Sequence, residues 1–116
     1  MSEKPFMLNQ KGSILEVTLC KGKANVISAE DSRELNRMWE EFRDHPEQRF
    51  AIITGKGEKF FCAGWDLKNV AESGEASNSD YGSGGFGGLN YPRNFNKPVI
   101  CAVNGIACGG GFEVML

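Results

Sequence analysis

Three consecutive glycines, Gly109-Gly110-Gly111, stand between an apolar run and the start of a helical pattern. Residues 98–103 predict a buried strand, and residues 112–116 predict the first turn of a helix. Helix N-termini present N–H groups without intrahelical acceptors, and glycine lets a ligand approach that backbone closely. Tight helix–sheet packing is the alternative explanation, although packing alone rarely needs three glycines in a row. The run therefore predicts a site that stabilises negative charge.

A second strand-to-helix turn of small residues follows the run Phe60-Phe61-Cys62. Within it, Asp66 is a candidate helix cap, and Trp65 is by default a core residue. Two such turns can direct two backbone N–H groups at one oxygen, which is the geometry of an oxyanion hole. Glu113 lies two residues past the glycines. The helix dipole alone favours a carboxylate there, but beside an oxyanion hole it would act as a general acid or base.

The remaining pattern predicts an α/β domain. Strands are predicted over 13–20 and 50–54, from apolar alternation and a short apolar run. A helix is predicted over 29–44, opened by a capping box from Ser28 to Asp31. A short helix is predicted over 66–72. A long Gly/Ser-rich loop is predicted over 73–88, and loops of this length are often lids or binding segments.

Composition excludes several function classes. Thirteen basic residues are interleaved with fifteen acidic ones, so no basic stripe for nucleic acid is present in the sequence. A single histidine and no C-x-x-C pair argue against a metal site, and the four cysteines are expected to be small buried residues in a reducing compartment. No apolar run is long enough for a signal peptide or a membrane span, so a cytoplasmic protein is expected. Gly82–Gly87 matches G-x-G-x-x-G, but without a preceding strand a dinucleotide site is disfavoured.

Several motifs, in order, resemble the crotonase (enoyl-CoA hydratase/isomerase) superfamily. They are Phe61-x-Ala63-Gly64-x-Asp66-Leu67-Lys68, Lys97-Pro98-Val99-Ile100-x-Ala102-Val103-Asn104-Gly105 and Gly109-Gly110-Gly111-x-Glu113. Within the family the chain is most similar to the carnitinyl-CoA dehydratases, also called crotonobetainyl-CoA hydratases. The resemblance implies a crotonase-like ββα spiral, of which residues 1–116 would form the N-terminal half of the core domain.

The resemblance also implies a site. The backbone N–H groups of Trp65 and Gly110 would hold a thioester oxygen as it gains enolate charge, and Glu113 matches the first of the family's two catalytic glutamates. The coenzyme A path would be lined by Lys23, Ala24, Asn25, Val26, Ala63, Asp66, Leu67 and Lys68. Lys23 and Lys68 are candidates to face phosphates. Trp65, Tyr81 or Phe86 is a candidate to face a trimethylammonium group, whereas simple packing is the alternative for Trp65.

The second family glutamate would lie beyond Leu116, so the chain is expected to be a fragment or a truncated product without hydratase activity alone. An acyl-CoA hydratase/dehydratase is the first hypothesis. An enoyl-CoA isomerase using one carboxylate and an inactive truncated chain are the alternatives. No cofactor beyond substrate coenzyme A is expected, and the family implies a homo-oligomer, a trimer or hexamer, for the full-length protein.

Overall fold

The computed structural model describes residues 4–66, 86–89 and 95–115, which contain six strands and two helices. A short 3₁₀ turn, Phe86–Gly88, lies between the fourth and fifth strands. The strands are β1 (Phe6–Lys11), β2 (Ile14–Leu19), β3 (Phe50–Gly55), β4 (Phe60–Cys62), β5 (Val99–Ala102) and β6 (Ile106–Ala107), and the helices are α1 (Ala29–Asp44) and α2 (Gly110–Met115).

The larger sheet has the strand order β1-β2-β3-β5. β1 runs antiparallel to β2, whereas β2, β3 and β5 are parallel, with Val17 opposite Ile53 and Ile53 opposite Cys101. The predicted strands over 13–20, 50–54 and 98–103 are confirmed to within one residue at each end. β1 was not predicted because only its first residue, Phe6, is buried, so the strand shows no apolar alternation.

Helix α1 covers one face of this sheet and closes the core. Its predicted bounds and capping box are confirmed: the Ser28 side chain accepts from the Asp31 N–H, and the Asp31 side chain accepts from the Ser28 N–H. Four large apolar side chains at helical spacing are buried, namely Leu35, Met38, Trp39 and Phe42. The Trp39 and Phe42 rings meet edge to face, with their centroids 5.9 Å apart. At the other end of α1, the Lys97 ammonium donates to the carbonyls of Phe42, His45 and Gln48.

The second sheet is small and positions the site. It pairs β4 with β6 in parallel, and an isolated bridge from Ile27 to Trp65 lies just beyond β4. β6 was not predicted because two residues are too few to show a period. Most of the predicted 66–72 helix and 73–88 loop lies outside the described residues.

Two asparagines fasten β4 to its surroundings. The Asn25 and Asn104 amides both donate to the Phe60 carbonyl, at 2.9 and 3.1 Å. Asn25 also donates to the Phe61 carbonyl from a left-handed backbone with φ 53°, a conformation that asparagine tolerates better than most residues. Asn104 accepts from the Gly55 N–H at 3.0 Å. These bonds hold both ends of the β3–β4 connection.

Candidate active site

The two glycine-containing turns lie against each other. In the parallel β4–β6 pair Cys62 stands opposite Ala107, and the Cys108 N–H continues the pairing by donating to the Cys62 carbonyl at 3.1 Å. Parallel strands end at the same edge, so the turns that follow them leave together. A Cβ added to Gly64 would lie only 2.9 Å from the Gly110 nitrogen. The predicted meeting of the two turns is therefore present in the structure.

The three glycines have different roles. Gly109 has φ +51° and turns the chain into α2, with open space around it. Gly111 packs on β4, because an added Cβ would lie 2.7 Å from the Cys62 carbonyl carbon. Within the described parts of the chain, the Gly110 N–H donates to no backbone or side-chain acceptor. Packing thus explains Gly111, while Gly110 contributes a donor at the start of the helix.

The Trp65 peptide is held by the bridge to Ile27. The Ile27 N–H donates to the Gly64 carbonyl at 2.8 Å, and the Asp66 N–H donates to the Ile27 carbonyl at 3.0 Å. Peptide groups alternate in direction along an extended segment, so the Trp65 N–H points to the side opposite Ile27. The Trp65 indole is half-buried and packs against the hydrophobic core.

Glu113 lies on the first turn of α2 with an exposed side chain. Its N–H donates to the Gly109 carbonyl at 3.3 Å. Residues three apart in a helix share a face, so Glu113 follows Gly110 on the same side of the turn. A carboxylate and a backbone donor are thereby placed next to each other at the edge of the small sheet.

The loop of residues 23–26, which the sequence assigns to the coenzyme A path, packs beside the turn that follows β4. The Ala63 N–H donates to the Ala24 carbonyl at 3.0 Å, which joins this loop to the end of β4. Lys23 is exposed, and Val26 is half-buried. Leu67, Lys68 and Tyr81 lie outside the described residues.

One charged residue of the site was not predicted. The Lys21 ammonium lies 2.7 Å from an Asp31 carboxylate oxygen and 2.8 Å from one of Asp66. The three side chains are only 13%, 7% and 12% exposed. Burial lowers the pKa of Lys21, but hydrogen bonds to the two carboxylates and their charges outweigh it and raise the pKa above its ordinary value. Asp66, assigned from the sequence to the coenzyme A path, is thus held in a buried ion pair.

Two cysteines lie next to the two turns, one buried and one exposed. Cys62 is fully buried, and burial raises the pKa of its thiol from an ordinary 9.0 to about 11. Cys108 is exposed, which corrects the expectation that all four cysteines are buried; it follows the last residue of β6, where the chain leaves the sheet. Cys20 and Cys101 are intermediate. All four are free thiols in the structure.

Residues 9–116 match the family described as enoyl-CoA hydratase/isomerase. The carnitinyl-CoA dehydratase of Escherichia coli K12 is 59% identical over 116 residues, all of this chain and 44% of that protein. The carnitinyl-CoA dehydratase of Proteus mirabilis is 56% identical over 109 residues, which are 94% of this chain and 41% of that protein. The chain thus spans less than half the length of these relatives.

Solved structures described as hydratases superpose on most of this chain. The crystal structure of carnitinyl-CoA hydratase from Mycobacterium avium superposes with a TM-score of 0.83 at 32% identity, covering 97% of this chain and 43% of that one. An enoyl-CoA hydratase from Bacillus anthracis superposes with a TM-score of 0.76 at 28% identity, covering 96% and 44%. In the described part of the chain, no helix combines the length and apolar character needed to cross a membrane.

Substituting Gly64 is expected to separate the two turns. In Gly64→Ala the methyl group would meet the Cys108 carbonyl oxygen and the Gly110 nitrogen, both at 2.9 Å, in addition to the penalty of φ +97°. Gly12→Ala is the matched control, because it has φ +60° with nothing within 4 Å. Urea denaturation should show a clearly larger loss of unfolding free energy for Gly64→Ala. Equal losses would mean that the turns are not in contact.

The buried thiol predicts a pH dependence. A folded pKa above the unfolded value means that the Cys62 contribution to stability is complete below pH 9 and is lost as the pH rises towards 11. Two pKa units correspond to about 2–3 kcal/mol. Unfolding free energies measured from pH 8 to 11 should therefore fall less steeply in Cys62→Ala than in the unsubstituted chain. Parallel pH profiles would contradict the assignment.

Proposed function

Because the chain belongs to the enoyl-CoA hydratase/isomerase family, we propose that it carries the anion-stabilising half of an acyl-CoA hydratase/dehydratase site. The approach of the two turns, so close that a Cβ on Gly64 would lie 2.9 Å from the Gly110 nitrogen, is the observation that carries the proposal. It places the turn that contains Trp65 beside the start of α2. Only donors that are fixed before the reaction can stabilise charge without a cost of reorganisation.

In this proposal the Trp65 and Gly110 N–H groups donate to the thioester carbonyl oxygen. That oxygen gains charge as the substrate becomes enolate-like, so hydrogen bonds to it strengthen in the transition state. Loss of one such donor typically costs about 3–4 kcal/mol of transition-state stabilisation. The donors are backbone groups, so substitution of the Trp65 side chain need not remove the hydrogen bond.

Glu113 is the proposed proton-transfer group. Hydration needs a water molecule to lose a proton as its oxygen adds to the β-carbon, and the α-carbon to gain one. Glu113 follows Gly110 on the first turn of α2, with an exposed side chain, where it can reach a thioester held by that N–H. Family hydratases use a second carboxylate as well. The hydratase activity of the whole protein is therefore part of the proposal.

The substrate class follows from the relatives' names. Carnitinyl-CoA dehydratases match the chain at 56–59% identity, and we extend their substrate class, a thioester bearing a trimethylammonium group, to this protein. An aromatic face near that cation would contribute about 0.5–2 kcal/mol. Trp65 is the described candidate, although its half-buried indole also packs on the core.

Enoyl-CoA isomerisation is the second candidate. It moves a proton between two carbons and needs one carboxylate. Among the described residues near the turns, Asp66 is held by Lys21, whereas Glu113 is exposed. Product analysis separates the two reactions, because hydration adds the mass of water and isomerisation leaves the mass unchanged.

Replacing Glu113 tests the proposed chemistry. The test uses a chimera in which residues 1–116 are followed by the part of the E. coli relative beyond the matched region, which we call the chimera below. Glu113→Gln keeps size and polarity but removes the proton-transfer group, so kcat for hydration of crotonobetainyl-CoA should fall about 100- to 10,000-fold. Glu47→Gln, at an exposed loop position, is the control. An unchanged kcat in Glu113→Gln would refute the role, and the 116-residue chain alone is expected to show no turnover.

Replacing Trp65 tests acyl selectivity in the same chimera. Trp65→Ala should weaken binding of crotonobetainyl-CoA more than binding of crotonyl-CoA, because only the first substrate carries a cation. The two losses should differ by about 2- to 30-fold. Dissociation constants for both thioesters provide the comparison. An equal loss for both would assign the indole to packing and exclude the cation–π contact.

A further inference from the structure

We propose that Ile27 is a positioning residue whose backbone N–H fixes and polarises the peptide that carries the Trp65 N–H. Ile27 acts through the Gly64 carbonyl and not through a contact of its own with substrate. The inference deepens the proposed function and rests on it, because it concerns how well the Trp65 N–H donates to a thioester oxygen.

The Gly64 carbonyl and the Trp65 N–H belong to one planar peptide group. The Ile27 N–H donates to that carbonyl at 2.8 Å. In a trans peptide the C=O and N–H bonds lie in one plane and point in opposite directions. A donor that holds the carbonyl on one side therefore sets the direction of the N–H on the other. The Ile27 N–H thus determines where the Trp65 N–H points.

Ile27 is itself held firmly. Its side chain is fully buried in the hydrophobic core. Ser28 follows it as the N-cap of α1, and two hydrogen bonds with Asp31, at 2.9 and 3.0 Å, fix that cap. The Ile27 carbonyl also accepts from the Asp66 N–H at 3.0 Å. The core and the capping box therefore hold the Ile27 N–H in place before substrate binds.

The same hydrogen bond strengthens the Trp65 N–H as a donor. A carbonyl that accepts a hydrogen bond draws electron density from its own amide nitrogen, and linked bonds strengthen one another by about 10–30% each. The peptide that carries the Gly110 N–H is built alike. Its carbonyl, that of Gly109, accepts from the N–H groups of Phe112 and Glu113 at 3.1 and 3.3 Å. Both proposed donor peptides therefore have hydrogen-bonded carbonyls.

A backbone ester at position 27 tests the role of this N–H, because it removes the donor and keeps the isoleucine side chain. In the chimera, kcat for hydration of crotonobetainyl-CoA should fall at least about 10-fold. The fall should be smaller than the loss of about 100- to 1,000-fold expected for an ester at position 65, which removes the oxyanion donor itself. KM should stay within about 3-fold, because a donor to developing charge acts mainly in the transition state.

Lys56 provides the matched control. Its N–H donates to the Leu19 carbonyl at 2.8 Å, the same length as the bond from Ile27 to Gly64, and its side chain is exposed. An ester at position 56 removes one backbone hydrogen bond outside the site and should leave kcat unchanged. Equal kcat per folded molecule in the esters at positions 27 and 56 would overturn the proposal.

The unsubstituted chimera provides a second test, which covers the case in which the ester at position 27 does not fold. When acetoacetyl-CoA accepts from the Trp65 N–H, the Gly64 carbonyl becomes a stronger acceptor. The Ile27 amide proton should then move downfield at the same ligand concentrations as the Trp65 amide proton, while that of Lys56 stays in place. Movement at Trp65 without movement at Ile27 would refute the coupling.

Failure of the proposed function has a different signature. The unsubstituted chimera would then show no hydratase activity, and acetoacetyl-CoA would not move the Trp65 amide proton. Without ligand, the ester at position 27 still decides the positioning role. Loss of the bond to the Gly64 carbonyl should move the Trp65 amide nitrogen resonance upfield, and the ester at position 56 should not. A Trp65 resonance that responds to neither ester would overturn the proposal.

Discussion

The parallel pairing of β4 with β6 is the constraint on which the site depends. It brings two turns that are more than 40 residues apart in sequence to one edge of a small sheet, where Gly64 meets the start of α2. The pairing is short, and isolated two-stranded sheets are marginal. Its support comes from side chains: Asn25 and Asn104 hold the Phe60 carbonyl from both sides. Polar side chains that bond to the β4 backbone are thus part of the site's architecture.

The site also depends on fixed charges. In the proposed function, an enolate-like oxygen needs donors that do not have to reorient, and the proposal gives that role to backbone N–H groups on the two turns. The bridge between Ile27 and Trp65 holds the turn after β4, and the Lys21 ammonium lies between the Asp31 and Asp66 carboxylates next to it. Burial raises the pKa of the Cys62 thiol to about 11.

Local patterns were enough to predict much of the fold. The capping box of α1, its buried face, the three core strands and the two glycine turns were all visible as residue spacings, and the family resemblance joined them into one domain. β1 and β6 were not visible because one shows no alternation and the other has two residues. Lys21 was missed for a different reason: its partners lie 10 and 45 positions away, and only the tertiary fold brings them together. The lining of the coenzyme A path by Lys23, Val26 and Ala63 stays a prediction.

The most direct measurement is an NMR titration of the ¹⁵N-labelled chimera with acetoacetyl-CoA, a thioester that readily forms an enolate. If the two turns form one oxyanion hole, the amide resonances of Trp65 and Gly110 will both move downfield and will saturate at the same ligand concentration. The amide of Val17, in the core of the larger sheet, will not move. A shift of only one of the two resonances, or saturation at two different concentrations, would contradict the account.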